Sequence, residues 1–417
     1  IVVFLDVGVY LLLREIGIRP LIALPLTFLP HASISFQLLT LAFRGDFLST
    51  AFNIWGMLFA LQHLRNKSWF LLTLSSLSFL GALFTKFTTV QGLAAILLYY
   101  FFQGRKKSAV FLATVTGVLG VLALVILHVW SQGRMLSNFE ACLLGGGSLI
   151  YFLKTPVWFV RVIAQDPFFL IIFGLAALVA VKTASENWKT FPYVCFGITF
   201  ATTFLIFSSP GTDHNHLMDL MAASLLILGV QFLQSFNFSR LYNLSFIAIV
   251  LGTLFTWVPG TLSIKDHMEE LGKPTRESVQ DIGDRLGPNA KNLMSENPLV
   301  PVMLGQRAIA MDTFSLRITA LKSPEIDRDF NRKLENQFFG AVILVDYSGA
   351  PPEDLEEAMW NHLSKGTYRF YGEVHFNKGF FNRLRKYYYL SFNQRPFVVF
   401  EPIKDQVHAH NPTAPQG

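Results

Sequence analysis

Ser209-Pro210-Gly211-Thr212-Asp213-His214-Asn215-His216 joins two long apolar runs, 191–208 and 217–234. It concentrates groups that coordinate metals or move protons. Pro210-Gly211 is a turn signal, so these side chains sit at a helix mouth. Asp213 is placed to cap the helix beginning near His216. His214 and His216 have an ordinary reading as interfacial residues. Asp219 is harder to explain: it lies one turn into an apolar run, at i+3 from His216 and on the same helical face. An ionisable group there is costly unless it is paired or faces a polar cavity. The preferred chemistry is recognition of a polar head group by Asp213, His214, Asn215, His216 and Asp219. No cofactor is firmly implied. A divalent metal on His214, His216 and Asp219 is the weaker alternative, because the spacing is not a zinc signature.

Basic residues supply the complementary chemistry. Arg44, Lys86, Arg134, Lys154 and Arg161 fall on the side of the membrane where the loops are otherwise poor in cations. Lys86 lies in Phe84-Thr85-Lys86-Phe87-Thr88-Thr89, without polar padding. A cation in a low-dielectric cleft near the membrane surface suits a phosphate or diphosphate. Arg44-Gly45-Asp46 occupies a tight connection between two apolar runs. It reads either as a polar cluster facing the same cavity, or as a snorkelling Arg44 with Asp46 capping the next helix.

The elements that must hold these residues are membrane helices. Of 417 residues, 52% are hydrophobic and 15% charged, where soluble domains carry about 25% charged. Apolar runs cover 1–13, 20–43, 47–63, 69–85, 88–102, 109–130, 167–182, 191–208, 217–234 and 240–258. The expectation is a multi-spanning α-helical domain of about ten helices over 1–260. A small extracytoplasmic α/β domain over 261–403 and a disordered 404–417 follow. Arg14 and Arg19, Arg65 and Lys67, Arg105-Lys106-Lys107, Lys182 and Lys189, and Arg240 fall in alternate loops, which the positive-inside rule makes cytoplasmic. Loops 44–46, 131–166 and 209–216, the region near Lys86 and the tail are then outside. The segment 150–164 mixes aromatics with bases and suits a helix lying in the interface, a misread spanning helix being the alternative. The first 260 residues hold 15 Lys or Arg against 8 acids, and the tail 19 against 20. The excess therefore anchors helices, and nucleic acid is not an expected partner. Cys142 and Cys195 sit at different expected depths, and no disulfide is expected. The first run is short and starts at Ile1, which suggests a chain beginning inside a helix.

Three stretches resemble the GT-C superfamily of membrane glycosyltransferases. The likeness is to the bacterial dolichyl-phosphate-mannose-protein mannosyltransferase-like group (glycosyltransferase family 39 and aminoarabinose-transferase relatives). Arg44-Gly45-Asp46 resembles an Arg-Pro-Asp at the same helix mouth, with Gly45 in place of Pro. Thr85-Lys86 stands before a helix. Gly211 to Asp219 resembles Gly-[Ser/Ala/Thr]-x-x-Asn-Tyr-x-x-Glu: Asn215 matches, His216 replaces Tyr and Asp219 replaces Glu. In the tail, Glu296-Asn297-Pro298 and Leu304 to Asp312 are similar to the extracytoplasmic domain of such proteins. The resemblance implies an integral multi-pass protein of the bacterial inner membrane. It implies transfer of a sugar from a polyprenyl-phosphate-linked donor to a lipid, glycan or protein. Arg44, Asp46, Lys86, Arg134, Asp213, His214, Asn215, His216 and Asp219 would bind substrate. The family's catalytic acid is expected upstream of Ile1, so no residue of this chain takes that role. Rival classes are a transporter or flippase, a lipid-linked oligosaccharide polymerase, and a non-catalytic assembly subunit.

Within the tail, Pro301 to Leu304, Ala308 to Met311 and Phe339 to Asp346 read as strands, and Pro352 to Leu363 as a helix. Tyr387 to Leu390 and Pro396 to Phe400 read as a closing pair.

Overall fold

Apolar runs cut by short polar turns fold as helices close to where the sequence marks them. The computed structural model describes residues 1–33, 35–37, 45–133, 135–136, 149–209, 212, 214–235, 276–287, 291–309, 324–345, 369–370, 373–374, 378–394 and 397–403. The described residues up to 235 form one compact unit, and those from 276 form a second.

The first unit is a helical bundle. Its helices are α1 (Val2–Glu15), α2 (Pro20–Phe28), α3 (Asp46–Asn66), α4 (Trp69–Thr85) and α5 (Gln91–Phe102). Then come α6 (Lys106–Trp130), α7 (Leu149–Ala164), α8 (Pro167–Asn187), α9 (Phe191–Ile206) and α10 (Met218–Ser235). By length and composition, α6 and α8 are long and apolar enough to cross a membrane; α4, α5, α9 and α10 are apolar but shorter. Val121, Ile126, Val129 and Trp130 of α6 and Leu178 and Val181 of α8 are exposed. Long helices that leave apolar faces open belong against lipid, so the unit is membrane-associated. The expected run 240–258 lies outside the described residues.

Two local features depart from the sequence reading. The run 20–43 is not one helix: α2 ends at Phe28, and a 3₁₀ turn, Leu29–Ala32, follows. Pro30 lacks the N–H that the α-ladder needs, and the chain leaves helical geometry at Ser33 (ψ 129°). Second, α3 and α4 approach closely through small residues. A Cβ on Gly56 would fall 2.7 Å from the Phe79 ring, and one on Gly81 would fall 3.1 Å from Phe52. Ser75 Oγ donates to Gly56 O at 2.8 Å across the same seam. Bundles in lipid close this way because apolar side chains gain nothing by leaving apolar solvent. Cys195 is a buried free thiol; Cys142 lies outside the described residues.

Helix α7 falls within the segment expected at the interface. Phe159 packs on Phe173 of α8 and on Phe200, Phe204 and Phe207 in α9 and just after it. These partners lie in the halves of α8 and α9 nearer the 209–216 loop.

The second unit is a mixed sheet between helical layers. Strands β1 (Met294–Ser295), β2 (Val342–Val345), β5 (Tyr388–Gln394) and β6 (Phe397–Pro402) take the order β1-β2-β6-β5. β1 is parallel to β2, and the other pairings are antiparallel. A separate two-stranded ribbon pairs β3 (Arg369–Phe370) with β4 (Glu373–Val374). Alternate residues of β2 and β6 bury on opposite faces. Val342, Leu344, Val398 and Phe400 pack with Leu334 and Leu384, from α13 (Pro324–Glu335) and α14 (Lys378–Tyr387). Ile343, Phe397 and Val399 pack with Val279, Ile282 and Val300, from α11 (Arg276–Leu286) and α12 (Leu299–Met303). Strands covered on both sides read as unbroken apolar runs, as Val-Ile-Leu-Val and Phe-Val-Val-Phe do here.

The expected strand Pro301 to Leu304 is instead the end of α12. Asn297 Oδ1 accepts from Leu299 N at 3.0 Å and opens a helical turn that β-branched composition alone does not reveal. Asp346 and the expected helix 352–363 lie outside the described residues. Burial lifts the Tyr388 phenol to about 12, and its hydroxyl donates to Phe339 O at 3.2 Å. Gln337, at φ 49° just after α13, donates through Nε2 to Tyr387 O (3.0 Å), at the end of α14, and to Ile403 O (2.9 Å), just after β6, a clamp beside the outer ends of β5 and β6. Gln337→Ala is expected to lower the opening free energy of β5–β6 amides by about 1–3 kcal/mol, measured by hydrogen exchange on the whole protein. Unchanged protection there would show that the clamp carries no weight.

Candidate functional site

Three helix junctions meet at one end of the bundle. Asp46 is the first residue of α3, where the helix dipole favours an acid. Lys86 follows the last residue of α4 in an extended conformation (φ −154°, ψ 107°), which ends the helix. Asn215 sits in a 3₁₀ turn, His214–His216. Lys86 Nζ lies 2.6 Å from Asp46 Oδ1 and donates to Asn215 O at 3.2 Å. Asn215 Nδ2 donates to the same Asp46 oxygen at 3.2 Å. One carboxylate oxygen thus gathers donors from two other loops. The Lys86 side chain is 19% exposed against 6% for Asp46, so the cation is the partner that keeps access to the surroundings.

A second polar layer lies one turn deeper. Asp219, in the first turn of α10, accepts from Thr50 Oγ1 at 3.1 Å and from Asn53 Nδ2 at 2.8 Å, with Gln91 alongside. Thr50 and Asn53 come from α3 and Gln91 from α5; the i,i+3 relation to His216 supplies none of these bonds. Ser49 Oγ donates to Thr89 Oγ1 at 2.6 Å. Asp46, Ser49, Thr50 and Asn53 form a buried polar stripe on α3 at i, i+3, i+4 and i+7. That stripe was the missed signal: three small polar residues at helical spacing inside the apolar run 47–63. Asn53 Oδ1, Gln91 Oε1 and Asn215 Oδ1 are buried and accept no hydrogen bond from the described residues. Buried acceptors of this kind are rare in folded chains and call for an explanation.

Further polar contacts tie the neighbouring helices and turns together. Trp158 Nε1 of α7 donates to Thr212 O at 3.1 Å, tying α7 to the 209–216 loop. Asp166 is fully buried, caps α8 through Phe169 N (3.0 Å), and accepts from Ser33 Oγ (2.5 Å) and Ser35 N (2.9 Å). His31 Nε2 pairs with Asp6 Oδ1 at 3.1 Å. Neither pairing is visible in sequence, because their partners are 25 to 133 residues apart.

Of the residues singled out from sequence, Asp46, Lys86 and Asn215 come into direct contact, and Asp219 lies in the layer beneath. His214 and His216 flank Asn215 in the same turn and are half-buried. Arg44, Arg134 and Asp213 lie outside the described residues. Among the described residues, no group of three or more His, Cys, Asp or Glu side chains is placed to hold a metal.

Gly45 departs from the Arg-Pro-Asp pattern for a visible reason. Its φ of −69° suits proline. Yet a Cβ there would fall 2.9 Å from Thr85 Cγ2 and 3.2 Å from Thr85 O. Gly45→Pro is expected to destabilise the whole protein by about 1–3 kcal/mol through overpacking. Adding Thr85→Ala should recover part of that loss, as read by thermal unfolding in detergent. A Gly45→Pro protein as stable as the parent would contradict the contact.

The sequence matches no protein-family model and no curated protein. Among solved structures, the fold is similar to that of ArnT from Cupriavidus metallidurans bound to undecaprenyl phosphate. The TM-score is 0.56 at 14% identity, covering 99% of this chain and 83% of that one. At that identity the likeness shows the fold alone: this chain shares the overall fold of that structure.

Proposed function

We propose that the protein is a multi-pass membrane glycosyltransferase. It transfers a sugar from a polyprenyl-phosphate-linked donor to a lipid, glycan or protein acceptor at the extracytoplasmic face. The observation carrying this reading is the meeting of Asp46, Lys86 and Asn215 from three loops at one end of a GT-C fold. ArnT, the structure it is similar to, was solved with undecaprenyl phosphate.

The chemistry breaks the bond between the anomeric carbon and the donor phosphate oxygen. A bond to the acceptor's nucleophilic atom forms, and the acceptor's proton passes to a base. Negative charge grows on the leaving phosphate. A preorganised cation speeds the step only if its attraction strengthens as that charge grows. Lys86 takes that role, held in place by Asp46, with Arg44 and Arg134 as further phosphate partners. Asp213, His214, Asn215, His216 and Asp219 orient donor or acceptor. The unmet acceptors at Asn215 and Gln91 suit sugar hydroxyls, which are hydrogen-bond donors. No described residue is assigned as the base. The second unit, placed outside the membrane, would receive the acceptor.

The test is the whole protein in liposomes with polyprenyl-phosphate-linked sugars and mixed acceptors. Free polyprenyl phosphate should appear in step with glycosylated product. Movement of intact lipid-linked sugar across the bilayer without cleavage would replace transfer with transport.

A further inference from the structure

At the far end of the helical unit lies a cavity of about 560 Å³. Helix α3 runs 21 residues from Asp46 to Asn66, about 30 Å, and so separates this cavity from the candidate site. Its walls come from two short turns, α3 to α4 and α5 to α6. Lys67 stands on one side; Arg105, Lys106 and Lys107 stand on the other. No acid lines it, and these four cations make no ion pair among the described residues.

Anchoring at a membrane surface explains cations at this end of the bundle. It does not explain their convergence on one cavity. Lys106 and Lys107 occupy the first turn of α6, the positive end of its dipole, where cations are disfavoured. That turn has no acid and no side-chain cap. Lys67 closes α3 at φ +53°, a left-handed conformation that non-glycine residues seldom adopt. The floor is fixed: His63 Nδ1 donates to Ser68 O at 2.9 Å, and His63 Nε2 lies 3.0 Å from the Ser108 hydroxyl. Both side chains are buried. Uncompensated charge around a rigid, open floor is an arrangement completed by an anion.

Two observations identify the anion's carrier. Trp69, half exposed at the rim, packs near His63 (5.3 Å) and Phe111 (4.9 Å), as aromatics do at headgroup depth. Just past the lysines, Val110, Val118 and Val121 begin the exposed apolar face of α6, along which acyl chains can lie. We propose that this cavity binds the phosphate-bearing headgroup of an anionic phospholipid, in the leaflet opposite the candidate site. The Arg105 fork and the lysines meet the phosphate oxygens. The site is independent of sugar transfer.

The experiment is native mass spectrometry of the whole protein released from membranes containing phosphatidylglycerol and phosphatidylcholine. The parent should retain phosphatidylglycerol preferentially. Arg105→Gln with Lys106→Gln should cut that retention by roughly tenfold or more. Lys182→Gln with Lys189→Gln removes equal charge from the end of α8 and the turn after it and should change retention less than about twofold. Equal losses in the two variants, or no preference for phosphatidylglycerol in the parent, overturn the proposal. Added inorganic phosphate should leave the lipid in place; displacement by phosphate overturns the lipid assignment in favour of a soluble ion.

Discussion

Lys86→Met in the whole protein is expected to cut sugar transfer by ~100-fold or more, the usual scale for removing a preorganised electrostatic partner. The same substitution strands Asp46, which is 5% exposed, without its cation. Breaking a buried pair costs about 3–5 kcal/mol, so loss of activity alone would not separate chemistry from unfolding. Asp46→Asn with Lys86→Met removes both charges and leaves an amide to accept from Asn215 Nδ2. This double variant should unfold near the parent's temperature and still fail to turn over donor. Thermal unfolding and release of polyprenyl phosphate, measured side by side, decide the matter. A double variant with parental turnover would remove Lys86 from the reaction and leave the pair a structural tie.

Gly92→Ala should be nearly as damaging, although it adds one methyl group. The new Cβ would fall 2.1 Å from Asn53 Oδ1 and 2.7 Å from its Cγ. Asn53 is 1% exposed, and its amide must shift away from the new methyl group and so give up Asp219. A hydrogen bond to a charged group contributes about 1.5–3 kcal/mol, and overpacking adds about 1–3 kcal/mol. The expected loss is therefore about 2.5–6 kcal/mol. The contact predicts a non-additive cycle. Gly92→Ala with Asn53→Ala should be more stable than Gly92→Ala alone, because truncating Asn53 removes the collision. If the second change only adds to the first, the proximity of Gly92 and Asn53 is not the cause.

Much of the helical unit was legible because each turn announces itself. The run 69–85 is the helix Trp69–Thr85, set off by Ser68 before it and Lys86 after it. The break after α2 was equally announced by Pro25 and Pro30, but an apolar run conceals a proline when hydropathy alone is read. The motifs flagged at Asp46, Lys86 and Asn215 are separated by up to 169 residues, and their contact depends on helix packing that no local spacing encodes. The partners of Asp219 were hidden differently. Thr50 and Asn53, like Ser49 beside them on the same stripe, are small enough to pass within a hydrophobic run, and only their helical phase gives them away. In the second unit, two-sided burial made β2 and β6 readable. Leu299 to Met303 misled because Val and Leu fit either state and the deciding bond is a single side chain, Asn297.

The strand order of the second unit constrains its biosynthesis. β6, last in the chain among the described strands, lies between β2 and β5 in the sheet. A nascent polypeptide that has exposed residues up to 394 holds β2 with the edge that pairs with β6 open. The sheet closes only after Phe397 to Pro402 leave the ribosome. A premature stop just before those six residues would therefore yield a membrane bundle carrying a sticky, incomplete appendage. Quality-control proteases should remove it, and a trimmed but working domain is not to be expected.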